Sequence, residues 1–246
     1  MTDAPAVADI LRGDWHIHST FSDDARSTLA QNLDAARRAQ LTEIRLIDHV
    51  RRSTTWVPDY LAAVRALPRA SGLTVHTGVE AKILDASGAL DVPDDLLVGG
   101  AGVDAVVIAD HQFPGTDGAW SPDETRRRVH DGLAAPDALD LLIGALVSAM
   151  HSVDSAQLAH CFSILPKVGL GEDDLGDDHL RAWARAAAET GTLIEVNEKW
   201  GCPGPRALRA AISAGARLVA STDSHEASEI GRYSVVRTLL EETVAS

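Results

Sequence analysis

The sequence predicts one parallel α/β domain, and three observations carry that expectation. Short β-rich runs alternate with helical stretches seven times, which is the pattern of parallel strands joined by helical crossovers. No break in composition, internal repeat, linker or low-complexity tract divides them. The chain has 246 residues, near the roughly 250 typical of a single α/β barrel.

Strands are expected near Trp15–His18, Ile44–Asp48, Thr74–Gly78, Asp104–Ala109, Gln157–His160, Thr192–Val196 and Arg217–Ala220. Helices are expected at Thr28–Gln40, Pro58–Leu67, Pro122–Leu133, Pro136–Met150, Asp177–Thr190, Pro205–Ala214 and within Ser234–Val244. Ser27 or Thr28 is placed to cap the first helix, and Leu29, Leu33, Ala36 and Ala39 or Gln40 follow its 3.6-residue period. Pro58, Pro122, Pro136 and Pro205 each suit a first helical turn, where a missing N–H costs nothing. Asp110–Ser121 and Pro166–Gly176, rich in Gly, Pro and Asp, read as loops, and long loops in a compact domain are often functional.

Composition narrows the class. The chain is 45% hydrophobic and 24% charged, which suits a globular protein and not a disordered one. No apolar run reaches the ~18 residues of a membrane span. The opening MTDAPAVADILRGDW lacks the basic-then-apolar layout of a signal peptide. Cys161 and Cys202 are too few for a disulfide framework, so a cytoplasmic enzyme is expected. A net charge of −14 repels phosphate backbones and argues against a nucleic-acid partner. Divalent ions would reverse that sign locally, so a small anionic substrate stays compatible.

The chemistry gathers at strand ends. In Asp14-Trp15-His16-Ile17-His18-Ser19, side chains two apart on a strand share a face, so both imidazoles point the same way. Paired imidazoles fill a core badly and hold a divalent cation well. Asp23 and Asp24 follow in the next loop, His49 follows the second strand, Glu80 the third, and His111 the fourth. His160 ends the fifth, Asn197 follows the sixth, and Asp223 and His225 follow the seventh. Active sites of α/β barrels lie at this end of the sheet. A single histidine after a strand is ordinarily a hydrogen-bonded loop residue. Six of ten at equivalent positions point instead to a metal centre that includes His16, His18, Glu80, His111, His160, Asp223 and His225. His76, His130, His151 and His179 read as structural; of these His151, nine residues before His160, comes nearest to the ligand pattern.

With these residues in view, the sequence resembles the PHP (polymerase and histidinol phosphatase) family, in its small stand-alone phosphoesterase form. The resemblance rests on His-Ile-His-Ser, Ile-Asp-His, Gly-Val-Glu-Ala, Ala-Asp-His, Leu-Ala-His, Ile-Glu-Val-Asn and Thr-Asp-Ser-His-x4-Ile-Gly, in that order. It implies one PHP domain over 1–246, with a motif-bearing core of about 14–233, folded as a distorted (β/α)7 TIM-like barrel. It also implies two or three divalent ions (Zn, Mn or Fe) in a trinuclear site. The first ion would take His16, His18, Glu80 and Asp223; Glu80 would bridge to a second held by His111 and His160. The third would take His49, His225 and an acidic residue of the first loop, Asp24 in the favoured register and Asp23 in the alternative. Asp48 and Asp110, each just before a ligand histidine, are placed to orient ligands or merely to cap loops.

The expected reaction is hydrolysis of a small phosphate monoester, histidinol-phosphatase-like, by metal-activated hydroxide. Asp223 or His225 would shuttle the proton to the leaving alcohol. Arg51, Arg52, Arg26 and Lys199 are candidates to grip the phosphate. Trp56, Trp200 and Trp120 would stack on a substrate or cover the barrel mouth. Loops Val50–Trp56, Gln112–Ser121 and Pro166–Gly176 would set selectivity. Competing readings are a phosphodiesterase or nuclease, another PHP-fold metallohydrolase of a biosynthetic pathway, and a non-catalytic metal-binding regulatory module. A small phosphorylated substrate is the expected partner, with no membrane contact; oligomeric state is left open.

Overall fold

The structure is a computed structural model that describes residues 7–69 and 71–245. Residues 1–6, which belong to the opening stretch examined for a signal peptide, lie outside the described residues, as do 70 and 246. The elements run α1 (Val7–Ile10), β1 (Gly13–Ile17), α2 (Leu29–Arg38), β2 (Glu43–His49), α3 (Val57–Arg65), β3 (Thr74–Lys82) and β4 (Ala105–Ala109). They continue with β5 (Phe113–Gly115), β6 (Gly118–Trp120), α4 (Pro122–His130), α5 (Ala135–Ser152) and β7 (Ala156–Leu158). The last are α6 (Asp177–Thr190), β8 (Leu193–Asn197), α7 (Pro205–Ala214), β9 (Leu218–Ser221) and α8 (Val235–Val244).

Seven strands form one parallel sheet in the order β1-β2-β3-β4-β7-β8-β9. The ends meet through an Ile17–Ser224 bridge, where His18 N–H donates to Ser224 O at 2.9 Å and Ser224 N–H to His16 O at 3.2 Å. The sheet is thus a nearly closed, distorted TIM-like (β/α)7 barrel in a single domain. Closure brings Asp223 beside His16 across more than 200 residues of chain. Asp14 reinforces the seam: buried, it accepts from Thr222 N at 3.0 Å, Thr222 Oγ1 at 2.6 Å and Gly231 N at 3.0 Å.

Local chemistry explains most helix bounds. Thr28 caps α2 in a reciprocal box, its Oγ1 accepting from Gln31 N while Gln31 Oε1 accepts from Thr28 N at 2.8 Å. Ser27 instead accepts from Ala227 N at 2.7 Å, tying the first loop to the last. A proline occupies the first or second position of each of α3, α4, α5 and α7, as expected. The helices bury one face on the barrel's outside, for example Leu29, Leu33 and Ala36 of α2, and Leu139, Leu142, Leu146 and Met150 of α5. Each fully buried leucine of this kind contributes roughly 1.5–3 kcal/mol.

As the expected helices imply, the crossover from β3 to β4, residues 83–104, contains no helix, while that from β4 to β7 holds two. Two features depart from the expected plan. Asp110–Ser121 is not simply a loop: β5 and β6 pair antiparallel, Phe113 against Trp120. Trp120 stacks on Phe113 with centroids 6.0 Å apart and lies under Arg128, so it is buried packing and does not reach the barrel mouth. Pro166–Gly176 folds into two short 3-10 turns, Pro166–Val168 and Glu172–Asp174. Among the described residues no helix is long and apolar enough to cross a membrane.

Candidate metal centre

The expected ligands converge at the C-terminal rim. Glu80, inside β3 and 1% exposed, is their hub. Its Oε2 lies 2.8 Å from His49 Nδ1 and 3.5 Å from the Nε2 atoms of both His16 and His18. Its Oε1 lies 3.2 Å from His111 Nε2 and 3.3 Å from His160 Nε2. Asp223 Oδ1 stands 3.4 Å from His18 Nε2 and 3.8 Å from His16 Nε2. Asp24 Oδ2 spans His49 Nε2 at 3.4 Å and His225 Nε2 at 3.2 Å. Asp24 thus faces both imidazoles; Asp23 lines the same cavity and makes neither contact.

Fixed partners set how the imidazoles point. His16 Nδ1 donates to Glu195 Oε2 at 2.9 Å, His160 Nδ1 to Asp110 Oδ1 at 3.3 Å, and His225 Nδ1 to the Asp223 carbonyl at 3.0 Å. His18 Nδ1 donates to Ser22 Oγ at 3.3 Å. In each ring the tautomer that makes this bond leaves Nε2 as a lone pair turned into the cluster. His16 Nε2 and His18 Nε2 consequently face each other at 2.9 Å, a contact that repels unless a cation or proton lies between. Both Glu80 oxygens are buried yet make no well-angled hydrogen bond. Facing lone pairs around an orphaned carboxylate fit a divalent cation. Three groupings bring their ligand atoms within 4.8 Å of one another: His16, His18 and Asp223; His49, Glu80 and His111; His18, His49 and His225.

Electrostatics follow from burial and neighbours. Burial, the largest single influence, opposes charge on His16, but Glu195, Glu80 and Asp223 together raise its pKa well above the usual value. Burial with the repulsion of His16 and His49 lowers His18 to about 3. Burial is outweighed at His160 by Asp110 and Glu80, which raise it to about 10, and at His49 by Glu80 and Asp24. Burial likewise favours neutral carboxyls at Glu80 and Asp223, yet the surrounding imidazoles hold Glu80 and Asp223 well below the carboxylate range. His160 and Asp223 have positive φ, 27° and 51°, which costs of order 1–3 kcal/mol each. Both turns aim a candidate ligand side chain inward.

No protein-family model matches the chain. It is 25% identical over 241 residues to a protein named probable phosphatase of Acetivibrio thermocellus, covering 93% of this chain and 86% of that one. Its fold matches the histidinol phosphate phosphatase of Lactococcus lactis, solved with zinc, L-histidinol and phosphate, at a TM-score of 0.66. That match is 16% identical and covers 95% of this chain and 92% of the other. The histidinol phosphatase structure from Listeria monocytogenes matches at 0.65, also 16% identical, over 89% and 97%. The chain shares the fold of these two structures, a TIM-like (β/α)7 barrel.

Within this barrel, Glu195 escaped the sequence reading as a site residue. Glu195 lies fully buried in the barrel interior and accepts from His16 Nδ1, Gln157 Nε2 at 2.8 Å, Asn197 Nδ2 at 2.5 Å and His160 N at 3.3 Å. Its signal was a charged residue inside the apolar strand Leu-Ile-Glu-Val-Asn. Asp110 orients His160, helped by Ser163 Oγ at 2.9 Å. Asp48 does not touch the His49 ring; it holds Ser19 and Ser22, and Ser22 in turn accepts from His18 Nδ1 and His49 N. It therefore acts on the ligands through a serine.

The cluster floors a cavity of about 690 Å³. Of the four cations expected to grip phosphate, Arg51 and Lys199 line it. Arg26 is paired with Glu226 at 2.6 Å and Arg52 with Asp94 at 3.5 Å, both outside its lining. Lys82, unforeseen, lines it as well. Lys199 Nζ stands 3.6 Å from Asp223 Oδ2 and 3.2 Å from His225 Nδ1, and Trp200 Nε1 donates to Asp223 Oδ2 at 2.9 Å. Trp56 and Trp200 line the cavity. His76 stacks on Trp15 at 4.9 Å, while exposed His130 and His151 pair with Asp131 and the Val147 carbonyl, and His179 with Asp140.

Proposed function

We propose that the chain is a metal-dependent phosphatase of small phosphate monoesters, with a motif-bearing core of about 14–233. The observation that carries this reading is the inward turn of six imidazoles and three carboxylates onto one point at the cavity floor. In the proposed site His16, His18, Glu80 and Asp223 hold one ion, Glu80, His111 and His160 a second, and Asp24, His49 and His225 a third. Asp24 supports the third grouping by spanning its two histidines. Mixed imidazole and carboxylate donors suit Zn, Mn or Fe. Bound ions supply Lewis acidity, a lowered pKa for water and charge neutralisation at the phosphoryl group.

The chain's own residues do the rest. Glu195, Asp110 and Ser22 keep the ligand rings oriented. Lys199 stands where a phosphate oxygen approaching Asp223 and His225 would meet an ammonium group. Asp223 and His225, which line the cavity beside Lys199, are assigned the proton transfer to the departing alcohol. The net charge of −14 supports a small substrate over a polynucleotide.

The test is phosphate release from p-nitrophenyl phosphate, against its bis ester, by protein stripped with chelator and reloaded with Zn, Mn or Fe. Turnover of the monoester that disappears in Glu80→Gln supports the reading. Preference for the bis ester would favour a phosphodiesterase. A metal-loaded protein inert to both would refute the phosphatase reading.

A further inference from the structure

Charge around the cavity runs against the charge of the chain. Acidic residues outnumber basic ones 36 to 22 overall. In the cavity lining, apart from the proposed ligands, the order reverses: Arg51, Lys82 and Lys199 stand against Asp23 alone. Lys199 belongs to the phosphate end, beside Asp223 and His225. The other two cations lie across the barrel from it, Arg51 just after β2 and Lys82 on β3, whereas Lys199 follows β8.

Their placement is built by the sheet. Lys82 is two residues beyond Glu80 on β3, so it shares Glu80's face and sits about 6.6 Å further up the strand. His49 pairs with Glu80 in register, and Val50 N–H still donates to Glu80 O at 2.9 Å, so Arg51 leaves the sheet alongside Lys82. Arg51 is fixed at its backbone by a turn, its N–H donating to Thr54 Oγ1 at 2.9 Å and its carbonyl accepting from Thr54 N at 2.9 Å. Its guanidinium has no ion-pair partner among the described residues. Lys82 Nζ is 3.4 Å from Asp91, which also accepts from Arg52 N and so anchors the same wall. Ser53, Thr54 and Thr55 add hydroxyls beside them.

Resting on the phosphatase reading, we infer that the alcohol half of the substrate carries a second anionic group, a carboxylate or a second phosphate, seated between Arg51 and Lys82. A cationic alcohol is the wrong partner for this wall. The zinc-containing Lactococcus protein was solved with L-histidinol, an amine-bearing alcohol; this cavity selects the opposite charge.

The test uses a homologous series on the metal-loaded full chain: 3-aminopropyl phosphate, propyl phosphate, 3-(phosphonooxy)propionate and propane-1,3-diol bisphosphate. The carboxylate and bisphosphate esters should exceed propyl phosphate in kcat/KM by roughly tenfold, with the amine lowest, because charge-assisted bonds are about twice as strong as neutral ones. Whichever of the two leads identifies the group. In Arg51→Met and in Lys82→Met that advantage should shrink to within about twofold, and Lys82→Arg should restore it. Phosphonate analogues, read by fluorescence of Trp56 and Trp200, should give the same ranking in Kd. Propyl phosphate matching or beating the dianionic esters overturns the inference, as does an advantage that survives both substitutions. If none of the series nor p-nitrophenyl phosphate is hydrolysed with any metal, the phosphatase reading itself has failed; Kd values without the charge ranking would then remove the subsite too.

Discussion

Replacing Glu195 with glutamine probes how far the site depends on a residue that need not touch an ion. Both carboxylate oxygens face donors only: His16 Nδ1 and Gln157 Nε2 on one side, Asn197 Nδ2 and His160 N on the other. A glutamine keeps the shape but must turn its NH2 toward one of these donor pairs. Leaving such a buried group unpaired costs about 1–3 kcal/mol. In a chain of this size that lowers Tm by roughly 2–4 °C per kcal/mol. His16 simultaneously loses the acceptor that holds its proton on Nδ1, and partners of this kind are typically worth 10–100-fold in metal affinity.

Proton competition works the other way. Glu195 contributes to the raised pKa of His16, so an incoming ion must displace a proton there. Glutamine relaxes that competition, which masks part of the lost affinity near neutrality. The affinity gap should therefore widen as pH rises. Chelator competition for Zn between pH 7 and 9, with calorimetry on the metal-free protein, measures both effects. Arg45→Met is the control: Arg45 makes no hydrogen bond to Glu195 and is linked to it through Gln157, its Nη1 donating to Gln157 Oε1 at 2.7 Å. It should lower Tm and leave affinity nearly intact. A folded Glu195→Gln protein binding Zn within twofold of wild type at every pH would refute the reasoning.

Three further outcomes test the fold. Burial, then the charge of Arg45, holds the pKa of His76 below 6.5, so the folded chain binds fewer protons than the unfolded one in acid. Stability should fall as pH drops through 6.5 toward the folded value and then level off. His76→Phe should flatten that part of a denaturation series run at saturating metal. Tyr60 is fully buried and its hydroxyl donates to Leu46 O at 2.5 Å; Tyr60→Phe should cost about 1–2 kcal/mol, read as a lower urea midpoint with unchanged m-value. Gly88 has φ of +81°, and a Cβ there would meet Ala149 N at 2.6 Å and Ala145 O at 2.7 Å on α5. Gly88→Ala combines left-handed strain with a backbone collision, for about 2–4 kcal/mol, read as a drop in thermal midpoint.

What the sequence disclosed, and what it withheld, divides by the range of the interaction. His16 and His18 were legible because a two-residue period is a local property of extended chain, and α2 because Thr28 and Gln31 cap it within one turn. The barrel was legible because each strand carries its own apolar run. The β5–β6 hairpin was hidden because Phe113-Pro114-Gly115 is short and holds a proline, and its pairing depends on Trp120 closing over Gly115. The helix-free crossover at residues 83–104 and the two helices after β4 were legible, because Pro122 and Pro136 each mark a first helical turn there.

Glu195 and Lys82 were missed for one physical reason. A buried carboxylate within an apolar strand is costly unless donors surround it, and those donors come from residues 16, 157, 160 and 197, on three strands and their ends. Nothing near Glu195 in the chain announces them except Asn197. Lys82 reads as an ordinary charged residue closing a strand until the barrel places it at the cavity wall beside Arg51, with Asp91 behind it. The side chains proposed to hold an ion directly are all His, Asp or Glu, so residue type helps to expose them. Residues that orient those ligands, or choose the substrate, are constrained in position and charge but scarcely in spacing, and only the closed barrel reveals where they stand.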